Sequence, residues 1–324
     1  MPIQTVSQAF TNEGLGAFSF RNRLINGTFE IAQRSAGPVT GSDYTTVDRW
    51  GFPSADETSE RVANDRDLSI PFALKVTATA AGYGQVFQRI EDVRTDSGKQ
   101  ITLSFWAKSP NTGAMRLAIY QNFGSGGSTF VSVIDNETYF NITQANTWQF
   151  FTATVTMPSV SGKTIGAGNH IQIGIGPNSG TANRVVTYSE VQWEVGSVAT
   201  PFERRPYGIE LQLCYRYYQA LNSENYLSAG FSAGGAPYST AIPFLARTRA
   251  VPSVTLPTAG QSAGTISFTA SNGGYPGTTG THNIYSVTTK DFALSGSGYS
   301  GLTGGTGAYL YSNGSVTYQI NAEL

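Results

Sequence analysis

The chain is 324 residues long and sets 20 Lys+Arg against 21 Asp+Glu, a net charge of −1, with only 13% of residues charged. That balance excludes the polybasic surface that nucleic acid or anionic lipid would require. Cys214, the single cysteine, excludes an intrachain disulfide, and no apolar run approaches the roughly 20 residues of a membrane-spanning helix.

The length suffices for two domains, each with its own core. With 37 glycines and many serines and threonines, the composition points to an all-β, turn-rich protein. The Met-Pro-Ile-Gln start lacks the basic-then-apolar pattern of a signal peptide, so a reducing cytoplasm is the expected folding compartment.

In chain order, residues 1–21 have no sustained period and read as a flexible leader or as an arm that docks on a larger particle. The arm reading rests on Phe10, Phe18 and Phe20, which only a partner surface would bury. From residue 22 to about residue 206 strand follows strand: Ala73–Ala78, Gln85–Ile90, Gln100–Lys108, Arg116–Gln121, Phe130–Ile134, Trp148–Thr156 and His170–Ile175. In QITLSFWAK, Ile101, Leu103, Phe105 and Ala107 alternate with Thr102, Ser104, Trp106 and Lys108, the period of two that puts one face on a core. Many short alternating strands with Gly, Ser and Asn turns predict a jelly-roll β-sandwich over residues 22–206. The acidic stretch SADETSERVANDRDLS, balanced by Arg61 and Arg66, reads as a solvated loop.

After Pro206, Leu211, Cys214, Tyr215, Tyr218 and Leu221 recur at intervals of three and four. That spacing predicts an amphipathic connecting helix over residues 207–221, with proline at its start and Glu210 suiting the helix dipole. Such a helix buries little alone, so Leu211, Tyr218 and Leu221 are candidates for an interface between copies of the chain. Residues 222–324 form a second, smaller β-sandwich-like domain. Its strands are expected at Thr240–Leu245, Ser253–Leu256, Thr265–Ala270, Asn283–Thr288, Gly307–Tyr311 and Ser315–Ile320. The glycine-rich segments between them carry Tyr275 and Tyr299, and Tyr309 follows in the next strand; all three are amphipathic residues suited to ligand contact. His282, in a Gly/Thr-rich loop beside them, is a further candidate for ligand contact.

No residues assemble a catalytic set. The two histidines, His170 and His282, lack a nucleophile elbow of the G-x-S-x-G kind at a strand-to-helix junction. No convincing pair of acids flanks a glycosidic bond as hydrolysis requires, so the chain is expected not to be an enzyme. Among the tryptophans, Trp106 is the candidate sugar platform, because it lies out of phase with the apolar face of its strand; the other strand tryptophans, Trp148 and Trp193, read as core, and Trp50 follows the Asp48-Arg49 pair. Asp48 and Arg49 read as a structural ion pair or turn anchor.

Two segments carry a family resemblance. LINGTFEIAQR from Leu24, followed by Tyr44–Trp50 (YTTVDRW), resembles an opening usually seen as N-x-L-I-N-G-x-F-x-I-x-Q-R then Y-T-x-D-R-W; Glu194–Tyr218 (EVGSVATPFERRPYGIELQLCYRYY) resembles a junction. Both are similar to segments of tail-fibre and virion-surface proteins of tailed bacteriophages, and together they bracket residues 22–218. The resemblance implies a non-enzymatic virion protein, assembled in the bacterial cytoplasm, most simply a homotrimeric tail fibre or receptor-binding appendage. The N-terminal arm would join other tail or head proteins, and the rest would contact a host surface glycan or protein. A capsid head-fibre or decoration protein is the alternative, and a glycan depolymerase a further one. The first domain also resembles jelly-roll carbohydrate-binding modules, in which an N-G-x-F-E opening and an acidic last strand share a structural calcium. Glu30 and Glu190 are the matching acids, although Ser189 stands where an Asp-Asp pair is common.

Overall fold

The computed structural model describes residues 20–78, 84–177, 184–257, 265–270 and 280–324. The chain divides into two compact units, the first ending at Leu211 and the second running from Gln212 to Glu323.

The first unit holds ten strands: β1 (Val39–Thr40), β2 (Glu57–Ala63), β3 (Phe72–Ala78), β4 (Val86–Glu91), β5 (Gln100–Lys108), β6 (Gly113–Asn122), β7 (Val131–Ile142), β8 (Gln149–Thr156), β9 (His170–Pro177) and β10 (Arg184–Val195). They form two antiparallel sheets, one ordered β1-β2-β3-β10-β5-β8 and the other β4-β9-β6-β7. Strands consecutive in sequence, such as β5 and β6, therefore lie in different sheets, which is the crossing-over of a jelly-roll sandwich. The inward face of β5 is the one its alternation predicts, with Ile101, Leu103, Phe105 and Ala107 each 0% exposed, while Thr102 and Ser104 on the other face are covered as well, at 1% and 3%. From the facing sheet Leu117, Ile119, Ile173 and Ile175 complete the core. Phe105 meets Phe140 edge-on at a centroid distance of 5.1 Å.

The segment 22–31 lies along β10. Arg23 N donates to Trp193 O at 2.8 Å and Val191 N to Gly27 O at 3.0 Å. A Cβ at Gly27 would stand 2.3 Å from Val191 O, so only glycine permits this approach. Asn26 turns the chain with φ +59°, and its side-chain amide bonds Ile31 and the Asp48 carbonyl. The Asp48 carboxylate takes the Gln33 N–H at 2.8 Å, and Arg49 donates to the Arg89 carbonyl at 2.6 Å, so both residues anchor the turn. Trp50 and Trp193 are core residues, 2% and 0% exposed.

One expectation is corrected in this unit. The acidic stretch is not a plain solvated loop, because Glu57–Ala63 pairs with β3 as strand β2 and Glu57 is fully buried. The leader of residues 1–21 lies outside the described residues up to residue 19. Arg21 already belongs to the sandwich, with Nε 3.2 Å from Glu194.

The predicted helix is also shorter. Helix α1 spans Tyr207–Tyr215, nine residues, and the Tyr217 N–H closes a turn on Cys214 O at 2.9 Å. Tyr218 then begins β11 (Tyr218–Ser232), which pairs antiparallel with the C-terminal strand. The helical stripe Leu211, Tyr218, Leu221 therefore does not exist. Tyr218 and Leu221 sit three residues apart on a strand, hence on opposite faces. Tyr218 is 3% exposed and Leu221 packs against the second core. Leu211 is partly buried at the end of the first unit.

After β11, the second unit contains β12 (Pro237–Ser239), β13 (Ile242–Pro243), β14 (Ser253–Thr255), β15 (Thr265–Ala270), β16 (Thr281–Val287), β17 (Asp291–Ser297) and β18 (Thr306–Asn321). The order is β13-β17-β12-β11-β18-β14, with β15 also on β18 and β16 on β17. Two expected strands, Gly307–Tyr311 and Ser315–Ile320, are one continuous β18, and it pairs along the whole of β11. Phe268, Phe292, Leu310 and Tyr318 centre the core of this unit.

Candidate functional site

On the outer face of the four-stranded sheet, polar and aromatic side chains form rows across the strands. β6 sends Met115, Leu117 and Ile119 inward, so alternation sends Tyr120 and Asn122 outward. The register sets Arg89 opposite Gln172, Gln172 opposite Tyr120, and Tyr120 opposite Ser132, one row over β4, β9, β6 and β7. A second row pairs Glu91 with His170 and His170 with Asn122.

Above these rows lies an open groove of about 380 Å³, lined by Tyr120, Asn122, Phe130, Ser132, Asp135, His170 and Gln172. The rings of Tyr120 and Phe130 meet at 6.2 Å and 80°, making an apolar corner. Phe130 is 59% exposed, an uncommon state for a large apolar ring without a partner. The Tyr120 hydroxyl lies 3.2 Å from Asp135 Oδ1, and Arg89 Nε donates to Gln172 Oε1 at 2.9 Å. Burial, with the negative charge of Asp135 beside it, holds the Tyr120 phenol above its ordinary range. It stays protonated at neutral pH and can donate a hydrogen bond to the carboxylate. The corner thus offers flat apolar faces next to amide, hydroxyl and carboxylate groups, the mixture that grips a ring bearing hydroxyls.

Trp106 lies on the opposite outer face. Its ring is covered on one side by the Arg66 guanidinium, 4.6 Å from the centroid, and meets Phe150 at 5.2 Å. Phe150, 47% exposed, is the freer ring of the two. Trp148 stands one residue before β8, half-buried. Its Nε1–H donates to Asp65 at 2.8 Å, and this bond together with that from Lys108, the stronger influence, keeps the Asp65 carboxyl below its usual range.

The expected metal pair does not fit a cation. Glu30 accepts from Arg204 Nη2 at 2.8 Å and Glu190 is ion-paired with Arg66. Each carboxylate already carries a guanidinium, which supplies the positive charge that calcium would bring. Among the described residues no group of three or more His, Cys, Asp or Glu is placed to hold a metal ion. A chelator is accordingly expected to leave the melting temperature unchanged, as scanning calorimetry with and without EDTA would show.

In the second unit the predicted contact residues separate. Tyr275 lies outside the described residues. Tyr299 is 5% exposed and packs edge-on against Phe268 at 5.8 Å, so it belongs to the core and not to an exposed tip. His282 stands on β16, not in a loop, hydrogen-bonded to the Tyr299 hydroxyl. Tyr309, on β18, is 38% exposed. Sequence reasoning missed Tyr120, Phe130 and Asp135; the outward parity of Tyr120 in RLAIYQ was the available signal.

The first unit is thus a two-sheet β-sandwich with a groove on each outer face. Among solved structures it is similar to a carbohydrate-binding module of family 4, at 21% identity and a TM-score of 0.35, over 53% of this chain and 98% of that one. A xylan-binding domain of Paenibacillus barcinonensis matches at 13% identity and TM-score 0.36, over 46% and 92%. The enzymatically active domain of tailspike protein 4 of bacteriophage CBA120 matches at 20% and 0.33, over 55% of this chain and 22% of that one. At these values the likenesses carry no argument about function. No protein-family model matches the chain, and a search of curated proteins gives no match.

Proposed function

We propose that this protein is a virion-surface component of a tailed bacteriophage, a tail fibre or receptor-binding appendage, that holds host glycan in the groove of Tyr120 and Phe130. The carrying observation is that corner: two perpendicular rings, one 59% exposed, beside Asp135, Gln172 and Asn122 in an open groove. The phage assignment is supported by the two sequence segments of the tail-fibre resemblance, and with it go assembly in the host cytoplasm and a homotrimer. Weak single contacts would be raised to useful strength by linked copies. The reading is one of binding without turnover, since Asp135 is the one carboxylate among the groove-lining residues and glycoside hydrolysis uses two.

Purified protein is expected to block adsorption of phage to host cells. Tyr120→Ala and Phe130→Ala each remove a stacking surface and should weaken glycan binding by about tenfold to a hundredfold, the loss of about 1.5–3 kcal/mol of ring burial. Unchanged adsorption blocking by both variants would sink the proposal. Light scattering that returned a single subunit mass at micromolar concentration would remove the trimer.

A further inference from the structure

The groove on the six-stranded sheet is built as a site in its own right. Its floor is the cross-strand pair Trp106 and Phe150 together with Ser104. Its wall is the connector after β10, where Pro201 and Phe202 stand over the sheet in a space of about 440 Å³. That connector is fixed in place: Thr200 N and Oγ1 donate to Glu194 at 2.8 and 2.6 Å, and Glu203 N to Gln192 Oε1 at 2.8 Å. Glu190 closes one end. It is 9% exposed and sits where the register of β10 slips between Ser189 and Gln192, with φ at +53°. A non-glycine residue in that conformation is held there by its surroundings at an energetic cost. Arg66 neutralises Glu190 and stacks on Trp106, so one side chain fixes both the acceptor and the ring.

From this we infer that the Trp106–Phe150 groove is a second binding site for a neutral, hydroxyl-rich oligosaccharide, on the face of the sandwich opposite the Tyr120 groove. The Phe150 and Phe202 rings supply apolar faces for pyranose C–H groups, and Ser104 and Glu190 supply polar groups for the hydroxyls. Glu190, the one charged residue among those lining the groove, is paired with Arg66, which also lies 3.5 Å from Asp67, so the groove offers no spare cation to attract an acidic ligand. Sites on both outer faces let one chain hold two glycan strands. The inference rests on the reading that this sandwich binds glycan, but a different set of residues carries it.

Calorimetric titration of the full chain with neutral β-1,4-linked hexasaccharides of glucose, mannose and xylose tests it. The expected result is two equivalents of the bound sugar per chain. Phe150→Ala should lose one, at least tenfold in affinity, and Tyr120→Ala the other. Ligand should also shift tryptophan emission in the parent protein and in Tyr120→Ala, but not in Trp106→Phe, because Trp50 and Trp193 are buried and the half-buried Trp148, bonded to Asp65, does not line this groove. The emission test also serves should Phe150→Ala fail to fold. One equivalent abolished by Tyr120→Ala and untouched by Phe150→Ala overturns the second site and leaves the first. One equivalent abolished only by Phe150→Ala upholds the second site and removes the first. Binding of none of the three sugars at millimolar concentration overturns the inference.

Discussion

Glu210→Ala is expected to cost the first unit about 3–5 kcal/mol, because it strands a buried arginine. Arg205 and Glu210 form an ion pair at 2.8 Å with side chains 5% and 8% exposed. Glu210 also accepts the backbone N–H of Asn26, while Arg205 donates to the carbonyls of Asn22 and Leu24. One carboxylate thus links the start of α1 to the opening segment of the sandwich. Urea unfolding followed by tryptophan emission measures this directly, since Trp50, Trp106, Trp148 and Trp193 all lie in the first unit. Arg205→Met combined with Glu210→Met should cost less than Glu210→Ala alone, because no charge remains unpaired. A loss below about 1 kcal/mol for Glu210→Ala would mean that the pair behaves as a solvated one.

The same clamp explains why two distant sequence segments read as one signature. Asn22 N donates to Glu203 at 2.7 Å, its side-chain amide to Val191 O at 3.0 Å, and Arg204 meets Glu30. The residues of N-x-L-I-N-G-x-F-E and of F-E-R-R-P-Y-G-x-E are thus partners in space. The sandwich was legible because β5 and β9 alternate cleanly and the period of two is a local property. The long pairing of β11 with β18 was not. Leu211, Cys214, Tyr218 and Leu221 fit a helical period, but Tyr218 finds its partner at Asn321, at the other end of the chain. Local periodicity cannot register a partner so remote, and tertiary pairing prevailed over it. The Tyr120 groove was hidden for another reason. An aromatic ring in an apolar strand looks like core until the parity of its neighbours is followed strand by strand.

Acid should weaken the second unit through His282. Burial pushes its imidazole down to about 4, from an ordinary value near 6.5. The ring lies against Phe268 at 5.6 Å and bonds to the Tyr299 hydroxyl, which burial in turn pushes up to about 12. Between pH 6.5 and 4 the unfolded chain binds a proton at this position and the folded chain does not. Stability is therefore complete above about pH 7, falls as pH drops through that window, and levels off below it. The full shift corresponds to about 3 kcal/mol, and the solvent-facing part of the ring reduces this to about 2. Gly296, opposite His282 on β17, leaves the room that Tyr299 occupies, since a Cβ there would come within 2.7 Å of that ring. The Tyr299 contact is thus built into the strand pair. Hydrogen exchange of peptides from β16 to β18, compared between the parent chain and His282→Gln at pH 7.5 and 4.5, isolates this histidine from the carboxylates. The parent should lose about 2 kcal/mol more protection than the variant on acidification. Equal losses in the two proteins would show that His282 is protonated in the folded state without penalty.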